Sequence, residues 1–176
     1  MKFPPLDSCT INPYDVWPAS HHKVLPERMP KPEASRKVLV VGGGCGGLQT
    51  AITAADRGHQ VILCEKAGVL GGLINFTDHT DHKVDIRNFK DLLIRDVEKR
   101  PIKVRLNCEV TPELIKEIAP EAVVLAVGSD DLILPIEGIE NAVTAMEVYY
   151  NDFAGLGKST IVLGGGLVGC EAAADT

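Results

Sequence analysis

Residues 41–47 read Val-Gly-Gly-Gly-Cys-Gly-Gly and residues 163–169 read Leu-Gly-Gly-Gly-Leu-Val-Gly, each directly after an apolar, strand-like run. Both carry the spacing G-x-G-x-x-G: Gly42, Gly44 and Gly47 in the first, Gly164, Gly166 and Gly169 in the second. A diphosphate needs backbone N–H donors and close backbone approach, and a glycine turn between a strand and a helix offers both. A side chain at either of the first two glycines would crowd the ligand, while the third lets the helix pack on the strand. Glu65 stands 23 residues after Gly42, at the end of a second strand-like run. There it is placed to accept hydrogen bonds from an adenosine ribose, and its charge disfavours a 2′-phosphate. The first site is therefore expected to take FAD or NAD rather than NADP, against the plainer reading of a glycine-rich turn with a surface glutamate. Two nucleotide loops in one chain suggest two nucleotides with electron transfer between them.

The other chemistry-bearing residues are weaker. Cys45 sits inside the first loop at a helix N-terminus, where the macrodipole can favour a thiolate; a small residue filling a tight position is the competing reading. His79 and His82, with Asp78 and Asp81, have imidazole and carboxylate donors, but H-x-x-H outside a firm helix points to a polar loop beside the cofactor more than to a metal. No Ser-His-Asp or Cys-His signature is present, so the chemistry is expected to belong to cofactors, with the protein supplying geometry and electrostatics.

The elements that must position these residues alternate in type. Residues 37–41 read as a buried strand, 46–58 as a helix stopped by Gly58, and 60–65 as the second strand. Residues 85–99 form an amphipathic helix with Ile86, Phe89, Leu92, Leu93 and Val97 near helical spacing, closed by Pro101. A strand over 102–110 follows, then a helix with Thr111 as N-cap, Pro112 at its first position and Glu113 in its first turn, ending near Ala119. Residues 122–127 read as a buried strand, 144–150 as a helix, and 160–163 as the strand feeding the second loop. Strands alternating with helices imply an α/β, doubly wound, mainly parallel sheet of Rossmann type. Residues 1–35 hold seven of the eleven prolines and read as an extended arm, whose Phe3, Tyr14 and Trp17 have nothing local to bury against; His21 and His22 receive no role.

The chain of 176 residues is 45% apolar and 24% charged, ordinary for a globular domain. A net charge of −6 without a dense run of Lys or Arg argues against nucleic acid. The apolar runs are too short to cross a bilayer and no signal-peptide pattern opens the chain, so a cytoplasmic location and no membrane partner are expected. Five cysteines without a C-x-x-C pair are expected to be reduced thiols.

Residues 37–47, the Glu65–Lys66 pair followed by Leu70, Gly71 and Gly72, the strand end 125–128 and the second loop together resemble a two-dinucleotide-domain flavoprotein. The chain is most similar to the NADH:flavin oxidoreductases of the 2,4-dienoyl-CoA reductase, enoate reductase and trimethylamine dehydrogenase type, over about residues 9–176. In that family an old-yellow-enzyme-like barrel carrying FMN precedes a cysteine-bound [4Fe-4S] cluster and an FAD domain interrupted by an NAD(P)H domain. The barrel is missing here. The stretch from Cys9 to Pro13 resembles the one holding the last cluster cysteine, yet one thiol cannot hold a cluster that needs four ligands.

The resemblance implies that Gly42, Gly44, Gly46 and Gly47, with Cys45 in the same loop, contact the FAD diphosphate. It puts Glu65 at the ribose, Lys66 among the cofactor-binding residues, Leu70, Gly71 and Gly72 at the next turn beside the cofactor, and Gly128 where the chain passes the same nucleotide. Gly164, Gly166 and Gly169 would begin the NAD(P)H site, with Glu171 close behind. Cys45 departs from the proline or alanine common in the family. The implied organisation is an arm over 1–35, an FAD domain over 36–152 and the start of a truncated NAD(P)H domain over 153–176. The implied function is electron input from NAD(P)H to FAD and on toward an iron-sulfur cluster and FMN, in a longer enzyme that reduces an activated alkene. Its partner would be the missing barrel or a second copy of this chain. A non-catalytic module holding ADP or FAD is the alternative.

Overall fold

The computed structural model describes residues 31–176. The expectations for Cys9, the arm aromatics, His21 and His22, and for the proline-rich arm up to residue 30, lie outside these residues. Four parallel strands form one sheet in the order β3-β2-β1-β4. They are β1 (Lys37–Val41), β2 (Gln60–Cys64), β3 (Ile102–Arg105) and β4 (Ala122–Leu125). β1 lies in register with β2 from Lys37 opposite Gln60, and with β4 from Val38 opposite Ala122. The chain adds strands outward on one side of β1 and then crosses to its other side, so the carboxyl end of β1 is the point where strand order reverses. In open α/β sheets the ligand crevice forms at that point.

Alternate side chains leave a strand on opposite faces, and the two faces here carry different helices. Val38, Val40, Val61 and Leu63 pack with Leu48, Ala51 and Ile52 of α1 (Cys45–Asp56) and Leu93 and Val97 of α2 (Val84–Glu98). Leu39 and Cys64 on the other face meet Ile118 of α3 (Pro112–Ile118). Thr111 caps α3 as its sequence predicts, its hydroxyl accepting from the Leu114 N–H. The sheet is thus covered on both faces, as a doubly wound fold requires.

Three strand expectations change, and one element is new. The strand 102–110 ends at Arg105, because Asn107 takes φ 50° and the chain bends so that the Asn107 and Cys108 N–H groups donate to Ala67 and Glu65 carbonyls. The segment 160–163 is not a strand: it finds no ladder partner among the described residues, and Ile161 is 89% exposed. A 3-10 helix over Gly72–His79, absent from the sequence reading, links β2 to α2. α4 (Ala145–Tyr150) has a full capping box between Thr144 and Glu147, and α5 (Leu167–Asp175) follows the second loop. The strand expected to be buried over 122–127 ends at Leu125 and lies at the sheet edge among the described residues, so Leu125 and the following Val127 are largely exposed.

Candidate nucleotide-binding site

The first loop is held from three sides. Gly42 leaves β1 at φ 105°, donating its N–H to the Cys64 carbonyl at 2.8 Å, and a Cβ there would stand 2.3 Å from the Ala126 carbonyl oxygen. Gly47 faces the same turn, where a Cβ would fall 1.8 Å from the Gly42 oxygen. The Gly71 N–H donates to the Gly43 carbonyl at 2.9 Å, joining the loop to the turn that follows β2. Gly44 is the N-cap of α1 in an ordinary extended conformation, and a Cβ built on it meets only the Gly72 Cα, at 3.8 Å. Neither backbone angle nor a protein neighbour requires glycine at 44; what lies in front of it is a cleft.

That cleft has a volume of about 990 Å³. Val41, Gly42 and Gly44 form its floor, with Glu65, Lys66 and Cys108 from the ends of β2 and β3 on one stretch of wall. Gly72, Asn75, Asp78, His79, Lys90 and Tyr150 supply another stretch, and Val127, Gly128 and Ser129 complete the rim beyond β4. The volume is at the upper end of the range of ligand pockets.

Glu65 is buried at the cleft wall and does more than the sequence suggests. Its Oε2 accepts from the Gly43 N–H at 2.5 Å and its Oε1 from the Ala67 N–H at 2.7 Å. The carboxylate therefore braces the loop against the end of β2. Each oxygen keeps a further lone pair, so the group still has acceptor capacity for a hydroxyl.

Cys45 packs against the core rather than lining the cleft. Burial pushes its thiol above the ordinary value, outweighing the lowering by a backbone hydrogen bond, which favours the reading of a small residue filling a tight position. Cys64 is pushed up to about 11, by burial first and then by a hydrogen bond with Cys108. Gly46 is exposed at the helix start, Lys66 is exposed at the cleft edge, and Gly71 is buried at φ 113° beside Asn75.

The second loop lies away from the cleft. Its Gly164, Gly165 and Gly166 would meet no atom within 4 Å if given a Cβ, and only Gly169 is close to its own turn, 2.0 Å from the Gly164 oxygen. Glu171 bonds the Lys83 ammonium at 2.8 Å. His79 and His82 are not brought together: His79 Nδ1 is 2.6 Å from Asp152 and His82 Nδ1 3.6 Å from Asp175. Among the described residues no group of three or more His, Cys, Asp or Glu side chains could hold a metal, and no helix is long and apolar enough to cross a membrane.

Sequence reasoning missed the wall built by the 3-10 helix and α2. The stripe was expected to include Ile86 and Leu92, but both are exposed, and α2 turns Lys90, Leu93 and Val97 inward. The signal was a lysine standing three residues before Leu93 on the apolar side.

Residues 36–176 match the sequence profile of the family described as pyridine nucleotide-disulphide oxidoreductase. The chain belongs to that family. It is 38% identical to an NADH oxidase of Thermoanaerobacter brockii over 94% of this chain and 25% of that protein. It is 37% identical to a cinnamate reductase of Clostridium sporogenes over 94% of this chain and 24% of that one. Among solved structures, 2-naphthoyl-CoA reductase in complex with 2-naphthoyl-CoA superposes with a TM-score of 0.75 at 31% identity, over 83% of this chain and 22% of the enzyme. These relatives agree with the flavin oxidoreductase resemblance drawn from the glycine loops. The chain spans about a quarter of the length of the curated relatives it matches.

Proposed function

We propose that this chain is the FAD-binding, electron-input portion of an NAD(P)H-dependent flavin oxidoreductase. The observation that carries the reading is Gly44: it lines an open cleft, and a Cβ built on it would meet no protein atom nearer than the Gly72 Cα at 3.8 Å. In this reading Gly42, Gly44, Gly46 and Gly47 present the start of α1 to the diphosphate, where backbone N–H groups and the helix dipole favour an anion. Glu65 accepts from the ribose while holding Gly43, with Lys66 beside it; Gly72 and Gly128 border the same nucleotide. Gly164, Gly166 and Gly169 belong to the NAD(P)H site, in a second unit starting near residue 153. When bound, the flavin supplies a ring that accepts hydride from a reduced nicotinamide.

The protein's part is to bind, orient and exclude water. Delivery of electrons to a [4Fe-4S] cluster, with Cys9 as one ligand, and to FMN belongs to the longer enzyme, whose substrate class we propose to be activated alkenes. The names of the cinnamate reductase and 2-naphthoyl-CoA reductase relatives support that class.

Absorbance and nucleotide titration test the proposal. A protein that holds FAD with a flavin spectrum, competed off by ADP, supports it. A colourless protein that binds ADP and refuses FAD replaces it with a non-catalytic nucleotide module, and one that binds neither overturns both.

A further inference from the structure

The cleft wall contains a residue that the fold itself does not call for. Lys90 lies on the buried stripe of α2 with Leu93 and Val97, and its side chain is 5% exposed. A stripe that packs a helix against a core is normally apolar, and a charge there must be desolvated and then compensated. Here the compensation is a carboxylate at the cleft: the Lys90 ammonium donates to Asp78 at 2.6 and 2.5 Å, and Asp91 stands 3.9 Å away. Asp78 is about half exposed, so the buried cation is covered by a partner that itself reaches solvent. A breach of local sequence rules of this kind is expected where a site needs it.

Its position in the cleft is informative. The Lys90 stem runs under the second turn, with its Cδ 3.0 Å from where a Gly71 side chain would be, and Gly71 is bonded to Gly43 of the first loop. Lys90, Asp78, Asn75, His79 and Tyr150 therefore form a polar wall adjoining the diphosphate loop but supplied by elements other than those carrying Glu65. A dinucleotide has two arms beyond its diphosphate. If the adenosine ribose lies at Glu65, the wall at Lys90 faces the other arm.

We propose that Lys90, held by Asp78 until ligand enters, is a specificity residue for the flavin arm of FAD: its ammonium grips the polar atoms of that arm, which ADP lacks. The assignment rests on the FAD reading above, and the test separates the two. The 176-residue chain and its Lys90→Met, Lys90→Arg and Asp78→Asn variants are titrated with ADP and with FAD, folding being checked by circular dichroism. Loss of a charge-assisted hydrogen bond is expected to weaken FAD by about tenfold or more in Lys90→Met with ADP unchanged, and Lys90→Arg is expected to restore most of it. Asp78→Asn, which removes the competing carboxylate, is expected to raise FAD affinity relative to ADP. If Lys90→Met fails to fold, Asp78→Asn decides: an unaltered FAD to ADP ratio overturns the proposal. Parallel weakening of both ligands in Lys90→Met moves the lysine to the diphosphate, and lowered thermal stability with both affinities intact makes the pair structural; either result overturns the proposal while FAD binding by the parent chain stands. Parent protein that binds neither nucleotide overturns the FAD reading itself, and this assignment with it.

Discussion

Gly42 and Gly164 begin their loops at φ 105° and 108°, and Gly44 and Gly166 cap their helices at φ −75°, ψ −178° and φ −78°, ψ −177°. The first intrahelical bonds also match, Leu48 N–H to Gly44 and Cys170 N–H to Gly166, both at 2.9 Å. The surroundings do not match. The first loop touches Cys64, Glu65, Gly71 and Ala126, whereas side chains placed at Gly164, Gly165 or Gly166 would meet nothing. Loop shape is thus written locally, in the glycine spacing and the helix that follows. A binding cleft is written by neighbours, here the ends of β2 and β4 and the turn at 71–72.

The largest effect that can break this comparison comes from the third glycine. Gly47→Ala drives a methyl into the Gly42 carbonyl inside a packed core and is expected to destabilise the protein by about 3 kcal/mol or to prevent folding. Gly169→Ala makes the same local clash in a loop with open space in front of Gly164, Gly165 and Gly166, and is expected to cost less than about 1 kcal/mol in the denaturant-unfolding free energy. Equal losses would mean that the second loop is as integrated as the first. Gly44→Ala sharpens the contrast differently. With permitted backbone angles and free space, it should leave stability within about 0.5 kcal/mol while reducing adenine-nucleotide affinity by about tenfold or more in calorimetry.

A smaller effect concerns what tethers α5. The buried Tyr149 hydroxyl donates to Asp175 at 2.6 Å, and burial, then that carboxylate, push the phenol well above its ordinary range. Tyr149→Phe should cost about 1 kcal/mol and speed amide exchange in α5 but not in α1. Because the folded phenol keeps its proton where the unfolded one loses it, this stabilisation is complete below about pH 10 and is lost as pH rises further. Exchange protection of α5 that is unchanged at alkaline pH would remove the tether. The smallest effect lies at the end of α1 opposite the first loop, where the Arg100 guanidinium, just past α2, holds Asp56 below the usual carboxylate range. A depressed carboxyl stabilises above its unfolded value and loses that contribution as pH falls below about 4. Asp56 is about half exposed and solvent screens the pair, so Asp56→Asn should remove well under 1 kcal/mol of the acid dependence seen in thermal melts.

The legible parts of this molecule are those in which one segment settles its own structure. β1, α1 and β2 follow from an apolar run, a glycine turn and Gly58, and α3 from Thr111-Pro-Glu. Glu65 was found from spacing alone, though not its bonds to Gly43 and Ala67, which depend on how two loops meet. Residues 160–163 have the composition of a strand but no partner among the described residues, and a ladder needs two. Lys90 was hidden for a related reason. Hydrophobic periodicity finds a face by its apolar members, so it passes over the charged residue that shares the face, even though Lys90 stands three residues before Leu93 on it; the packing of α2 turns that lysine inward.

The sheet's last strand carries a practical consequence. Among the described residues β4 has no ladder partner on its outer side, next to Leu125 and Val127 at 70% and 69% exposure. An open, greasy ladder invites intermolecular strand addition. Stock solutions of this polypeptide should scatter more light as they are concentrated, and a lysine substituted for Leu125 should keep them clear.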